Sequence, residues 1–170
     1  MEECLHRSPR FVPAVFSIHE PIPKEVLDVL ARTEVPKCFV SARYFATPDL
    51  SWVDGPGGKR LVRFGDISLG GWMCIDPSTG HVVDVMGLDH PVLRLANSSI
   101  GHFSDCVRGV IELFPYYHRE DYDDFEAAGE KIAARLNDID PAALSDKDGF
   151  WRTFVDDVQM GDFSVEEVMS

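Results

Sequence analysis

Residues 70–83 constrain the fold of this chain more than any other stretch: Gly70-Gly71-Trp72-Met73-Cys74-Ile75-Asp76-Pro77-Ser78-Thr79-Gly80-His81-Val82-Val83. Apolar and β-branched residues flank a cluster of turn formers, with proline at the second turn position and glycine at the end. That order predicts a hairpin of Gly71 to Ile75 and His81 to Val85. Shortly afterwards Leu95-Ala96-Asn97-Ser98-Ser99 leads into a different period. Ile100, Phe103, Val107, Val110, Ile111 and Phe114 step by three and four, which predicts a buried helix capped by Asn97 or Ser98 and ended by Pro115.

The flanking sequence extends this alternation of strands and helices. Pro21-Ile22-Pro23 introduces a short helix over Lys24 to Thr33, because proline is tolerated in a first turn. Cys38 to Phe45 is aromatic and β-branched and predicts a strand. Pro48, Gly55, Pro56, Gly57 and Gly58 predict a surface loop over residues 47–58. Strands follow over Arg60 to Phe64 and Val92 to Leu95. Tyr122, Phe125, Ile132 and Leu136 mark a second long helix with Asp123, Glu126 and Glu130 on another face. Phe150, Trp151, Phe154, Val155 and Val158 mark a third, closed by Gly161, and a frayed turn follows at Ser164 to Glu167. Strands in the middle and helices after them predict α+β: a central antiparallel or mixed sheet covered by helices, in one domain over residues 1–170.

Charge separates the chain into two parts. Residues 116–170 hold 15 acids and 5 bases, net −10, out of a total of −13, whereas residues 1–115 contribute −3. Such a field disfavours nucleic acid and anionic membranes and favours a basic protein partner. The alternative is a solvated surface that maintains solubility. No run approaches the ~20 apolar residues of a membrane span, and no signal peptide opens the chain, so the expected setting is cytoplasmic. Cys4, Cys38, Cys74 and Cys106 show no metal or redox spacing and are expected to be reduced.

The hairpin with its Ile75-Asp76-Pro77-Ser78-Thr79-Gly80-His81-Val82 turn, the Asn97-Ser98-Ser99 helix start and the closing segment Phe150 to Gly161 resemble the bacterial SUKH superfamily, and its fourth group most closely. The resemblance covers about residues 60–160; the first 50 residues match only in element order. It implies a SUKH-like α+β fold. It also implies an immunity protein that binds a cognate toxin domain of a polymorphic toxin system and occludes its active site. The acidity points to a toxin with a basic surface, such as a nuclease or nucleic-acid deaminase. Two other readings stand beside it: a regulatory scaffold related to yeast cell-wall regulators, and, third, an enzyme acting on a small molecule.

The residues themselves announce no catalyst. Gly55 to Arg60 is glycine-rich but lacks the Ser or Thr and the following helix of a phosphate loop. His81 and Asp84 are three apart on a strand and face opposite ways, so no metal site is expected, and no cofactor. Ser98 and Ser99 are explained by capping, and the adjacent acids by solvation. A partner surface remains, with Tyr116 and Tyr117 as aromatic anchors and Asp121, Asp123, Asp124 and Glu126 as the acidic complement of a basic site. The competing reading puts the tyrosines in the corner between two helices and the acids in water.

Overall fold

A computed structural model describes residues 9–40, 43–68, 70–87, 90–120 and 124–168. The elements in chain order are β1 (Ser17–Ile18), α1 (Lys24–Arg32), β2 (Cys38–Phe39), β3 (Tyr44–Asp54), β4 (Arg60–Ile67), β5 (Gly71–Ile75), β6 (Val82–Met86), β7 (Val92–Asn97), α2 (Ile100–Glu112), α3 (Asp124–Ile139), α4 (Phe150–Met160) and α5 (Val165–Val168). Strands β3 to β7 form an antiparallel meander in sequence order, while β1 pairs in parallel and β2 antiparallel with different parts of the outer edge of β3. The sheet is therefore mixed, and the α+β class follows.

The sheet and the helices meet through rings. Phe39 from β2, Tyr44 from β3, Phe64 from β4, Phe103 from α2 and Phe150, Trp151 and Phe154 from α4 are all buried. Phe39 and Trp151 are 5.4 Å apart between ring centroids, Tyr44 and Phe103 5.2 Å, and Phe64 and Phe103 5.7 Å, all at angles near edge-to-face. A smaller apolar cluster lies apart from this core and draws only on strands: Leu61, Cys74, Val83 and Val85, with Val53, Trp72 and Leu93 around them.

The hairpin turn is held by its own aspartate. Asp76 Oδ1 accepts from the Ser78 amide at 2.9 Å, Lys59 Nζ donates to Oδ2 at 2.9 Å, and the chain reverses through Gly80 at φ 75°. Burial alone would raise the Asp76 carboxyl, but the hydrogen bonds from Ser78 and Lys59 outweigh it and hold it below the usual range.

Three expectations need correction. Residues 44–54 form a long strand, not a strand ending at Phe45 followed by a loop. Pro48 is accommodated because the pairing of β3 with β4 shifts register between Ala46 and Ser51, so no ladder bond is demanded of it. Only Pro56 to Gly58 remain as a turn of 3-10 helix. The cap of α2 is Ser99, whose hydroxyl accepts from the His102 amide at 3.1 Å, and not Asn97 or Ser98. Finally, Cys38 is disulfide-bonded, with its other half outside the described residues, while Cys74 and Cys106 are free and buried. Cysteine spacing carried no signal of that bond.

Asn97 points inward instead. Its Oδ1 accepts from Trp151 Nε1 at 2.8 Å, and its Nδ2 donates to Asp140 Oδ2 at 2.9 Å, an oxygen that also accepts from the Ser98 amide at 2.8 Å. Asp140 Oδ1 accepts from Ala142 N at 3.2 Å, capping a 3-10 turn over Pro141–Leu144. One buried side chain thus ties the end of β7 to α4 and to the segment leaving α3. Asn97→Ala leaves the Trp151 indole N–H without its acceptor and removes one hydrogen bond from the Asp140 carboxylate, which keeps those from the Ser98 and Ala142 amides, a cost of about 2–4 kcal/mol. Thermal unfolding is expected to fall by roughly 4–16 °C, and Trp151→Phe, which removes the donor from the other side, to fall comparably.

Candidate functional site

The acidic corner foreseen from the sequence lies between α2 and α3. Asp121 and Asp123 fall outside the described residues. Asp124 opens α3 and Glu126 sits in its first turn, both exposed, where the helix dipole favours negative charge. Tyr117 is 4 % exposed: its ring lies 4.4 Å from that of Phe125, and its hydroxyl accepts from the Phe163 amide at 2.9 Å. Tyr116 is half-buried, donates to the Val110 carbonyl at 3.3 Å and packs edge-on against Phe114 and Phe154. Both tyrosines support this corner from beneath, and the groups that face solvent on it are His118, Arg119, Glu120, Asp124 and Glu126.

A second feature was not foreseen. Between β4, β6, β7 and the start of α4 lies a cleft of about 290 Å³, lined in part by Arg43, Asp84, Arg94, Asp148, Phe150 and Asp157. Arg43 pairs with Asp157 and donates to Thr153 Oγ1, with its guanidinium 5.8 Å from the Phe150 ring centroid. Arg94 Nη1 donates to the Asp148 carbonyl at 2.7 Å.

Asp84 occupies the floor. It is 2 % exposed; Oδ2 accepts from the Phe150 amide at 2.9 Å, and Oδ1 has no hydrogen-bond partner. Gly149, at the N-cap of α4, offers no side chain, so the carboxylate of a distant strand caps this helix. Strand alternation directs Asp84 toward the helices, but no sequence signal marks the amide it meets. Burial pushes its carboxyl up to about 6, against smaller opposing effects of Arg94 and the Phe150 amide, with Asp146 adding to the rise.

The remaining candidate groups are structural. Burial pushes the Cys74 and Cys106 thiols up to about 12, which makes them poor nucleophiles at neutral pH. His102 shares a 2.6 Å hydrogen bond with Ser98 Oγ and lies 3.9 Å from Asp140. Among the described residues no group of three or more His, Cys, Asp or Glu side chains is arranged to hold a metal ion, and no helix is long and apolar enough to cross a membrane.

The elements that carry the hairpin turn, the Asn97-Ser98-Ser99 helix start and the Phe150-Trp151 helix are thus joined in one frame, and the model of the SUKH-4 immunity protein family matches residues 6–157. The chain belongs to that family. No curated protein and no solved structure matches it. The SUKH-4 match reaches well beyond the segment that carries the motif resemblance, since it takes in α1, β2 and β3.

Asp84 makes stability depend on pH in a defined direction. Its folded-state pKa lies above the unfolded value, so its neutral form contributes fully below about pH 4, and that contribution is lost as pH rises through about 6. The full span of two units is worth at most ~3 kcal/mol. Asp84→Asn keeps an acceptor for the Phe150 amide and removes the charge. Its unfolding free energy relative to wild type is expected to improve by about 1–3 kcal/mol between pH 4.5 and pH 7.5, measured by urea denaturation at both values.

Proposed function

We propose that the protein is a non-enzymatic immunity protein of a bacterial polymorphic toxin system, acting by binding one cognate toxin domain and occluding its active site. Membership of the SUKH-4 immunity protein family over residues 6–157 carries this reading. The frame built by the sequence motifs also supports it, because Asn97, Asp76 and Ser99 are each engaged in holding the fold. What is left for function is surface. The net charge of −13, with −10 in residues 116–170, favours a partner with a basic face, as a nuclease or a nucleic-acid deaminase presents, and disfavours direct binding of nucleic acid.

The contact region we assign to the toxin includes the start of α3, with Asp124 and Glu126 exposed, Asp121 and Asp123 beside them in sequence, and Tyr116 and Tyr117 as its support. Co-expression with the toxin domain encoded by the adjacent gene tests the reading. Survival of the host and a stoichiometric complex are expected; death of the host with the protein present, and no complex, contradict it. Replacing Asp121, Asp123, Asp124 and Glu126 by lysine is expected to slow association about tenfold or more at low salt and to flatten its salt dependence. Stopped-flow binding reads both, once thermal unfolding shows that the variant folds.

A further inference from the structure

We propose that the cleft at the start of α4 is a socket for one basic side chain of the toxin, its aliphatic stem along Phe150 and its cationic head between Asp84 and Asp148. This deepens the immunity reading and rests on it. The cleft holds three carboxylates, Asp84, Asp148 and Asp157, against two guanidiniums, Arg43 and Arg94, which leaves one negative charge uncompensated. Both guanidiniums are already engaged, Arg43 by Asp157 and Thr153 and Arg94 by the Asp148 carbonyl. The Asp148 carbonyl fixes Arg94 without neutralising it, so this one guanidinium, whose charge acts on Asp84, serves two carboxylates, Asp84 at the floor and Asp148 at the exposed mouth.

Asp84 supplies the second, independent observation. Buried acceptors are almost always satisfied, yet Asp84 Oδ1 has no partner in a residue that is 2 % exposed. The cleft, at about 290 Å³, is roughly ten times the ~30 Å³ share of one water and so has room for the head and stem of a long side chain. Ile67, Met86 and Phe150 give the cleft apolar walls, the surroundings in which a lysine or arginine stem packs while its charge meets a carboxylate. Long-range attraction at the start of α3 and a fixed anchor in this cleft are complementary: the first speeds encounter, the second slows release.

The titratable and charged groups facing Asp84 are Arg94 on β7, Arg43 ahead of β3, Asp157 on α4, and Asp146 and Asp148 in the segment before α4. A cation arriving beside Asp84 favours its ionised form, so binding releases a proton near pH 6 and affinity rises with pH.

Two experiments separate the socket from the reading beneath it. In the first, n-butylguanidinium is titrated into the free protein and followed by amide NMR. Saturable shifts at Phe150, Asp148 and Met86 that vanish in Asp84→Asn are expected, and their absence overturns the socket whatever the toxin does. In the second, the toxin domain of the adjacent gene is bound by wild type, Asp84→Asn and Asp148→Lys, the last an exposed substitution that leaves the core untouched. Dissociation constants at least tenfold weaker for Asp148→Lys, and loss in Asp84→Asn of the affinity drop between pH 7.5 and 5.5, support the proposal. Binding within twofold of wild type by both variants, at both pH values, overturns it. Failure of wild type to bind the toxin removes the immunity reading and with it the assigned guest, and the n-butylguanidinium titration then decides whether the cleft takes a cation.

Discussion

The fold depends on one buried asparagine. Asn97 ends β7, meets the indole of Trp151 from α4 and meets the carboxylate of Asp140 from the segment after α3. Each of these groups is expensive to bury without a partner, and each finds one here. Burial by itself would raise the Asp140 carboxyl, but its hydrogen bonds from Ser98, Asn97 and Ala142 hold it below the usual range, so it stays ionised and acceptor-only around neutral pH. The aromatic core is then closed from one side by Trp151, whose orientation is set by its hydrogen bond as well as by its neighbours. Hydrophobic burial supplies most of the driving force, and this network selects which packing it drives.

A consequence for function follows from where these residues sit. The Asn97-Ser98-Ser99 run holds together β7, α2 and α4, and the Asp76 turn shapes the hairpin, so the residues most visible as motifs are committed to architecture. Recognition of a partner falls instead to side chains that the frame positions but does not consume. Asp84 stands on the boundary between the two roles: one of its oxygens caps α4, and the other is unused. A buried carboxyl raised to about 6 costs stability at neutral pH, and an asparagine of similar shape would cap the helix without that cost.

Much of this was readable from local pattern. The hairpin, the periods of α2 and α4 and the left-handed Gly161 after α4, at φ 96°, all rest on interactions within a few residues of one another. The strand over residues 44–54 was missed because its pairing runs across the sheet. Pro48 and the following glycines look like loop, and only a register shift against β4 lets the strand run past the proline. Tyr117 reads from the sequence either as a partner anchor or as a filler between two helices, and what holds it at 4 % exposed is the Phe125 ring and the Phe163 amide, neither of which spacing reveals. Asp84 and the cleft left no trace in spacing, since Arg43, Asp84, Arg94 and Asp148 come from four separate parts of the chain.

The frame leaves two acidic regions for a partner, the exposed start of α3 and the cleft at the start of α4, which lie toward opposite ends of the paired helices. Hydrogen exchange of backbone amides, compared between the free protein and its complex with the toxin domain of the adjacent gene, tests this most directly. Added protection is expected at residues 124–128, 146–150 and 84–86, with little change across the strand-only cluster around Leu61 and Cys74. Protection confined to that opposite sheet face, with those three segments unchanged, would contradict the account.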